Sequence, residues 1–171
     1  MAAALVYLDG QGLVLRVALA SALHECGHWA ALAVSGARVR SLRLTAVGAE
    51  MELDSRHPLS YPREAAAALA GPAVSLLSAW LAAWAGWYLF AGVNLSLGLL
   101  NLLPIRALDG GRALFCALAP WRPRAAEAAV GAASVLLSGA LLGLGWAAWR
   151  AWGNLTLLCT SAWLLAGALK L

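Results

Sequence analysis

Five consecutive residues, His24-Glu25-Cys26-Gly27-His28, are of the types that hydrolytic metal chemistry needs. On a helix, His24 and His28 stand four apart and share one face. Two imidazoles so placed can bind one Zn²⁺, and Glu25, beside the first, can reach a water held by that ion. Zinc lowers the pKa of such a water to about 7, and a carboxylate can take its proton as it attacks a carbonyl. Cys26 points off this face and reads as a packing residue. Gly27 permits a close helix contact, or is simply a small residue in a crowded helix. The competing reading of the motif is a hydrogen-bonded polar cluster between helices. Against it stands the setting, a long apolar stretch: a Glu at the centre of a bilayer costs about 2 to 3 kcal/mol, and ionisable residues there usually have a function.

A catalytic zinc usually takes three protein ligands and leaves a position for water. Asp109 stands out as the third, in Asn101-Leu102-Leu103-Pro104-Ile105-Arg106-Ala107-Leu108-Asp109-Gly110-Gly111. Pro104 and the paired glycines should break their apolar segment into two half-helices, and broken backbone inside a membrane is tolerated where it lines a protein cavity. His28 and Asp109 lie about six and ten residues from the same ends of their segments, roughly 9 to 15 Å deep at about 1.5 Å per residue. Asp before Gly-Gly is also turn chemistry, so a helix cap is the alternative for Asp109. The amide of Asn101 could donate to a developing oxyanion or hold a substrate backbone; an interhelical hydrogen bond is the alternative. Asn94 lies nearer the membrane edge and has less weight. Ala70-Gly71-Pro72 reads as architectural, a bend that allows close packing beside the site. Arg106 and Arg112 flank Asp109 and either snorkel or contact substrate, and His57 reads as a surface residue.

These residues need a scaffold, and composition says which kind. Of 171 residues, 63% are hydrophobic and only 12% charged. A soluble domain carries about a quarter charged residues, so this chain has too little polar surface for a water-soluble globule. Five apolar segments are expected, at about 12–34, 63–91, 93–119, 125–149 and 155–171. The fold class is therefore all-α membrane, a polytopic helical bundle of about five transmembrane helices in a single domain over 1–171. Between the first two segments, Arg38 to Leu44 and Glu50 to Asp54 partly alternate around Gly48, as a short β-hairpin would; a surface loop is the alternative. An exposed hairpin edge could take up an extended substrate. Arginines and lysine concentrate on one side (Arg38, Arg40, Arg43, Arg56, Arg63, Arg122, Arg124, Lys170), which should be cytosolic. Trp87, Trp121, Trp149 and Trp152 suit an interfacial belt, and Trp80, Trp84 and Trp87 share a face that suits lipid or helix packing. The net charge of +4 gives no reason to expect nucleic-acid binding, and Cys26, Cys116 and Cys159 form no C-x-x-C pair. The first eight residues have no basic region and are too short for a signal peptide.

His24 to His28, then Ala70-Gly71-Pro72, then Asn101 to Gly111 resemble, in order, the site-2 protease family of intramembrane zinc metalloproteases. The resemblance spans about half the chain. It implies His24, His28 and Asp109 as zinc ligands, Glu25 as the catalytic carboxylate, Asn101 in the active-site region, and a helical core whose site opens toward the cytosol. The loops leave no room for a PDZ insertion or a CBS domain, and the compact form looks most like the sporulation-type members, which process a sigma-factor precursor. Ala107 stands where many members have proline before Leu-Asp-Gly, so a looser local backbone is expected. A leading membrane helix of several members is also expected to be missing. The function expected is hydrolysis of peptide bonds in or near transmembrane segments of membrane-protein substrates, in the plasma membrane of a prokaryote, with a regulatory membrane protein as a further partner. The rivals are a metal-binding transporter and an inactive membrane scaffold. Oligomeric state is left open.

Overall fold

The computed structural model describes residues 12–37, 39–45, 48–53, 59–153 and 155–169. Six helices and one hairpin appear among them: α1 Leu13–Val34, β1 Val39–Thr45, β2 Gly48–Leu53, α2 Tyr61–Trp84, α3 Tyr88–Asn101, α4 Asp109–Leu118, α5 Pro123–Trp152 and α6 Thr156–Leu169. The six helices come from five apolar segments because the third is broken, as Pro104 and the glycines require. The second segment is shorter than expected. It ends at Trp84, not near Ala91, because Gly86 adopts φ 80, a left-handed conformation that glycine takes without steric cost. The expected hairpin is present: β1 and β2 pair antiparallel, with Leu42 opposite Met51 and Arg43 opposite Glu50, and the register is irregular between Val39 and Ser41. Arg38, Asp54 and His57 lie outside the described residues.

The chain forms two compact units that divide between Asn101 and Leu102. In the first, α2 packs on both α1 and α3. Its buried face is made of small residues: Ala67, Ala68, Gly71, Pro72, Ser75, Ala79 and Ala82. Small side chains let helix backbones approach, which is how helices associate where lipid supplies no hydrophobic drive between them. The closest approach on the α1 side is at Gly27, where an added Cβ would lie 2.7 Å from the Ala70 carbonyl oxygen and 2.9 Å from Val74. Gly27 is thus a true contact position. Because the obstacle is backbone, Gly27→Ala should cost about 1–3 kcal/mol, read as a lowered unfolding midpoint in detergent; an unchanged midpoint would mean the helices do not cross there. The opposite face of α2 exposes Leu77, Trp80, Leu81 and Trp84, which suits lipid.

In the second unit α5 packs on α4 and α6, and it buries Ala126, Val130, Ser134, Ser138 and Gly145. The stretch between Asn101 and Asp109 is irregular but not unsatisfied. Ile105 N–H donates to Leu103 O at 2.7 Å, Leu108 N–H to Ile105 O at 2.8 Å, and Arg106 N–H to the Ser134 hydroxyl at 2.8 Å. Ile105 itself is buried. Gly110 and Gly111 lie against the carbonyls of Leu102 and Ile105, with no room for a Cβ on either. The loop therefore wraps the start of α4 and fixes where Asp109 begins.

Two helices, α2 and α5, are long and apolar enough to cross a membrane. At about 1.5 Å per residue, α1 with its 22 residues also reaches the ~30 Å of a hydrocarbon core. It carries Arg16, His24, Glu25 and His28, so its apolar character is interrupted at the candidate site.

Candidate metal centre

The helical spacing of α1 does what the sequence required of it. His24 and His28 face the same neighbour, α2, with ring centroids 4.8 Å apart and planes at 78°. Their Nε2 atoms are 3.1 Å apart. Each Nδ1 is already engaged. His28 Nδ1 lies 2.8 Å from the carbonyl oxygen of Ala67. A carbonyl only accepts, so Nδ1 of His28 carries the hydrogen and the neutral ring presents a lone pair at Nε2. His24 Nδ1 lies 2.9 Å from the hydroxyl of Ser75, and both residues are buried. In the tautomer whose Nδ1–H donates to that hydroxyl, His24 also presents a lone pair at Nε2; in the other, the hydroxyl donates to Nδ1 and Nε2–H of His24 donates to Nε2 of His28.

In the first of these tautomers both lone pairs can reach a single cation. Nitrogens that share one tetrahedral zinc at about 2.0–2.1 Å lie about 3.3 Å apart, close to the separation of 3.1 Å found here. The space in front of them exists because residue 71 is glycine. A Cβ built on Gly71 would lie 2.8 Å from His24 Nε2 and closer still to His28 Nε2. The donor set and the cradle both fit a zinc ion held by imidazole nitrogens.

Glu25, next to His24 in sequence, is half-buried, and Cys26 is exposed. Cys26 thus points away from the metal face as expected, but it sits on the outer surface and is not a packing residue. In the second unit, Asp109 is the first residue of α4, with Leu108 as the N-cap, and is half-buried. It is not the cap residue. Asn101 ends α3, and its amide nitrogen donates to Leu97 O at 3.0 Å, one turn back in its own helix. No interhelical bond uses that nitrogen, and Oδ1 is left to accept. Asn94, given little weight above, is fully buried; Nδ2 donates to Phe90 O at 3.0 Å and Oδ1 has no partner. Arg106 and Arg112 are exposed.

Sequence reasoning read Gly71 as a bend that allows close packing beside the site, which its approach to both imidazoles bears out, and passed over Ser75 and the Ala67 carbonyl. A signal was there in part. Ala67, Gly71 and Ser75 recur every four residues on α2, matching the four-residue step from His24 to His28 on α1.

A histidine pair four apart on one helix, a glutamate next to the first in sequence and a glycine facing their Nε2 atoms make up the pattern that metal-dependent hydrolases use. The comparisons with known proteins make this specific. The sequence model described as Peptidase family M50 matches residues 79–144, which include Asn101 and Asp109. Stage IV sporulation protein FB of Bacillus subtilis (strain 168) is 32% identical over 102 residues, 54% of this chain and 35% of that protein. The match thus spans about a third of the curated relative's length. The structure of a site-2 protease from Methanocaldococcus jannaschii superposes with a TM-score of 0.72 at 21% identity, covering 98% of this chain and 82% of that one. That likeness establishes the fold. The chain is thus similar to peptidase family M50 over residues 79–144 and has the fold of a site-2 protease, with two helices long and apolar enough to cross a membrane.

Proposed function

We propose that the protein is an intramembrane zinc metalloprotease that hydrolyses peptide bonds in or near transmembrane segments of other membrane proteins. The observation that carries the proposal is the convergence of the His24 and His28 Nε2 atoms, 3.1 Å apart, over Gly71. His24, His28 and Asp109 are the proposed zinc ligands, a reading supported by the nitrogen and carboxylate donors they offer. On this reading the two compact units act as one catalytic domain. A bound zinc ion supplies Lewis acidity and an acidified water. Glu25 then has one task, proton transfer: its carboxylate takes the proton of the attacking water and returns it to the leaving nitrogen. Asn101 Oδ1 accepts from a backbone N–H of the substrate. Peptide bonds inside a tight helix are shielded, so the substrate must unwind locally, and the β1–β2 hairpin offers an edge to hold it extended. On this proposal the site faces the cytosol of a multi-pass protein in a prokaryotic plasma membrane, a reading the distribution of basic residues supports. The sporulation-type subgroup is part of the same proposal, supported by the similarity to the sporulation protein, and a regulatory membrane protein is its further proposed partner.

The test is metal content and cleavage measured on one preparation. Purified wild type should hold about one zinc per chain and cleave membrane-segment substrates. A chelator should abolish cleavage and added zinc should restore it. Folded protein with neither metal nor cleavage overturns the proposal. Zinc flux into vesicles without cleavage would make the chain a transporter.

A further inference from the structure

Hydroxyls inside helices usually bond back to the carbonyl one turn earlier. In this chain Ser35 does so with Ala31 O, Ser134 with Val130 O, Thr160 with Thr156 O and Ser161 with Leu157 O. Ser75 does not. Its fully buried hydroxyl is 2.9 Å from Nδ1 of His24, across the α1–α2 interface. Gly98 of α3 brings that helix against Ser75, so that an added Cβ on Gly98 would lie 3.2 Å from Ser75 Cβ.

We infer that Ser75 is a positioning residue for the metal centre: its hydroxyl accepts from Nδ1 of His24, fixes the ring, and commits Nε2 to the ion. The assignment rests on the zinc reading above and adds to it. His28 needs no such residue, because Ala67 O already fixes its tautomer. His24 has the hydroxyl of Ser75 for the same purpose. Without it the imidazole can rotate about its Cβ–Cγ bond, and Nδ1–H loses its acceptor in a buried site. Groups that hold the far nitrogen of a metal-bound imidazole orient the ring and raise its basicity.

The experiment compares wild type, Ser75→Ala and Ser75→Thr as full-length proteins in detergent. Zinc affinity is measured by competition with a chromophoric chelator, and Co²⁺ replaces zinc to report ligand geometry by its visible absorption. Ser75→Ala should bind zinc at least about tenfold more weakly, with an altered Co²⁺ spectrum. Ser75→Thr keeps the hydroxyl and should keep the wild-type spectrum and affinity. If Ser75→Ala binds as wild type does, or if both variants weaken equally, the hydroxyl does not position His24 and the inference falls. If wild type itself binds neither ion, the zinc reading fails first and takes this one with it.

Discussion

Gly71→Ala should give a folded protein that holds no zinc and cleaves nothing. The added methyl carbon would lie 2.8 Å from His24 Nε2 and nearer to His28 Nε2, in the gap toward which both lone pairs point. The rings cannot step aside cheaply. His28 is tethered to Ala67 O and His24 to Ser75 on the same helix that would carry the methyl group. Either the methyl takes the ion's place or α1 and α2 separate, at about 1–3 kcal/mol for overpacking. Both routes destroy the two-imidazole site, so zinc content should fall from about one per chain to background and cleavage with it. Gly92→Ala is the control. It is also a helical glycine, but an added Cβ there meets nothing within 4 Å, and removing a helix-interior glycine should stabilise by about 0.5–1 kcal/mol. A Gly71→Ala protein with full zinc and normal turnover would show that the metal, if any, sits elsewhere.

Glu25→Gln separates binding from chemistry. Glutamine keeps the shape of Glu25 but cannot accept the proton that hydrolysis must move. Positioned general acid–base groups contribute about 10²- to 10⁴-fold, so turnover should fall by about a thousandfold while zinc stays near one per chain. Wild-type-like cleavage would remove Glu25 from the mechanism. Loss of zinc would make Glu25 a ligand, not a base. Read together, the two variants dissect the site: one loses metal and activity, the other activity alone.

The parts of the fold that were legible in the sequence are those written in local pattern. The four-residue step of His24 and His28 gave a shared face, the Pro104 and Gly110-Gly111 run gave the broken helix, and alternation around Gly48 gave the hairpin. The end of α2 was not legible, because Ala85-Gly86-Trp87 is as apolar as the helices on either side and only the φ of 80 at Gly86 marks the turn. The burial of Asn94 was not legible because distance from a predicted membrane edge says nothing about which face of α3 it occupies. The partners of the two imidazoles were hidden for a different reason. Ser75 and Ala67 are 51 and 39 residues away from the histidines they hold, and one of them contributes only backbone. Gly71 was read for its helix-bending company, Pro72, when its larger effect is the volume it leaves for the rings.

The bond from His28 to Ala67 has a consequence for how this site can change over generations. A main-chain oxygen is encoded by no codon, so a point mutation at position 67 can alter bulk but cannot delete the acceptor. The His24 mount, by contrast, rests on one side chain and is open to drift. Variation among descendants of this sequence should therefore accumulate at position 75 and at the strength of the His24 bond, while the orientation of His28 is inherited with the helix itself.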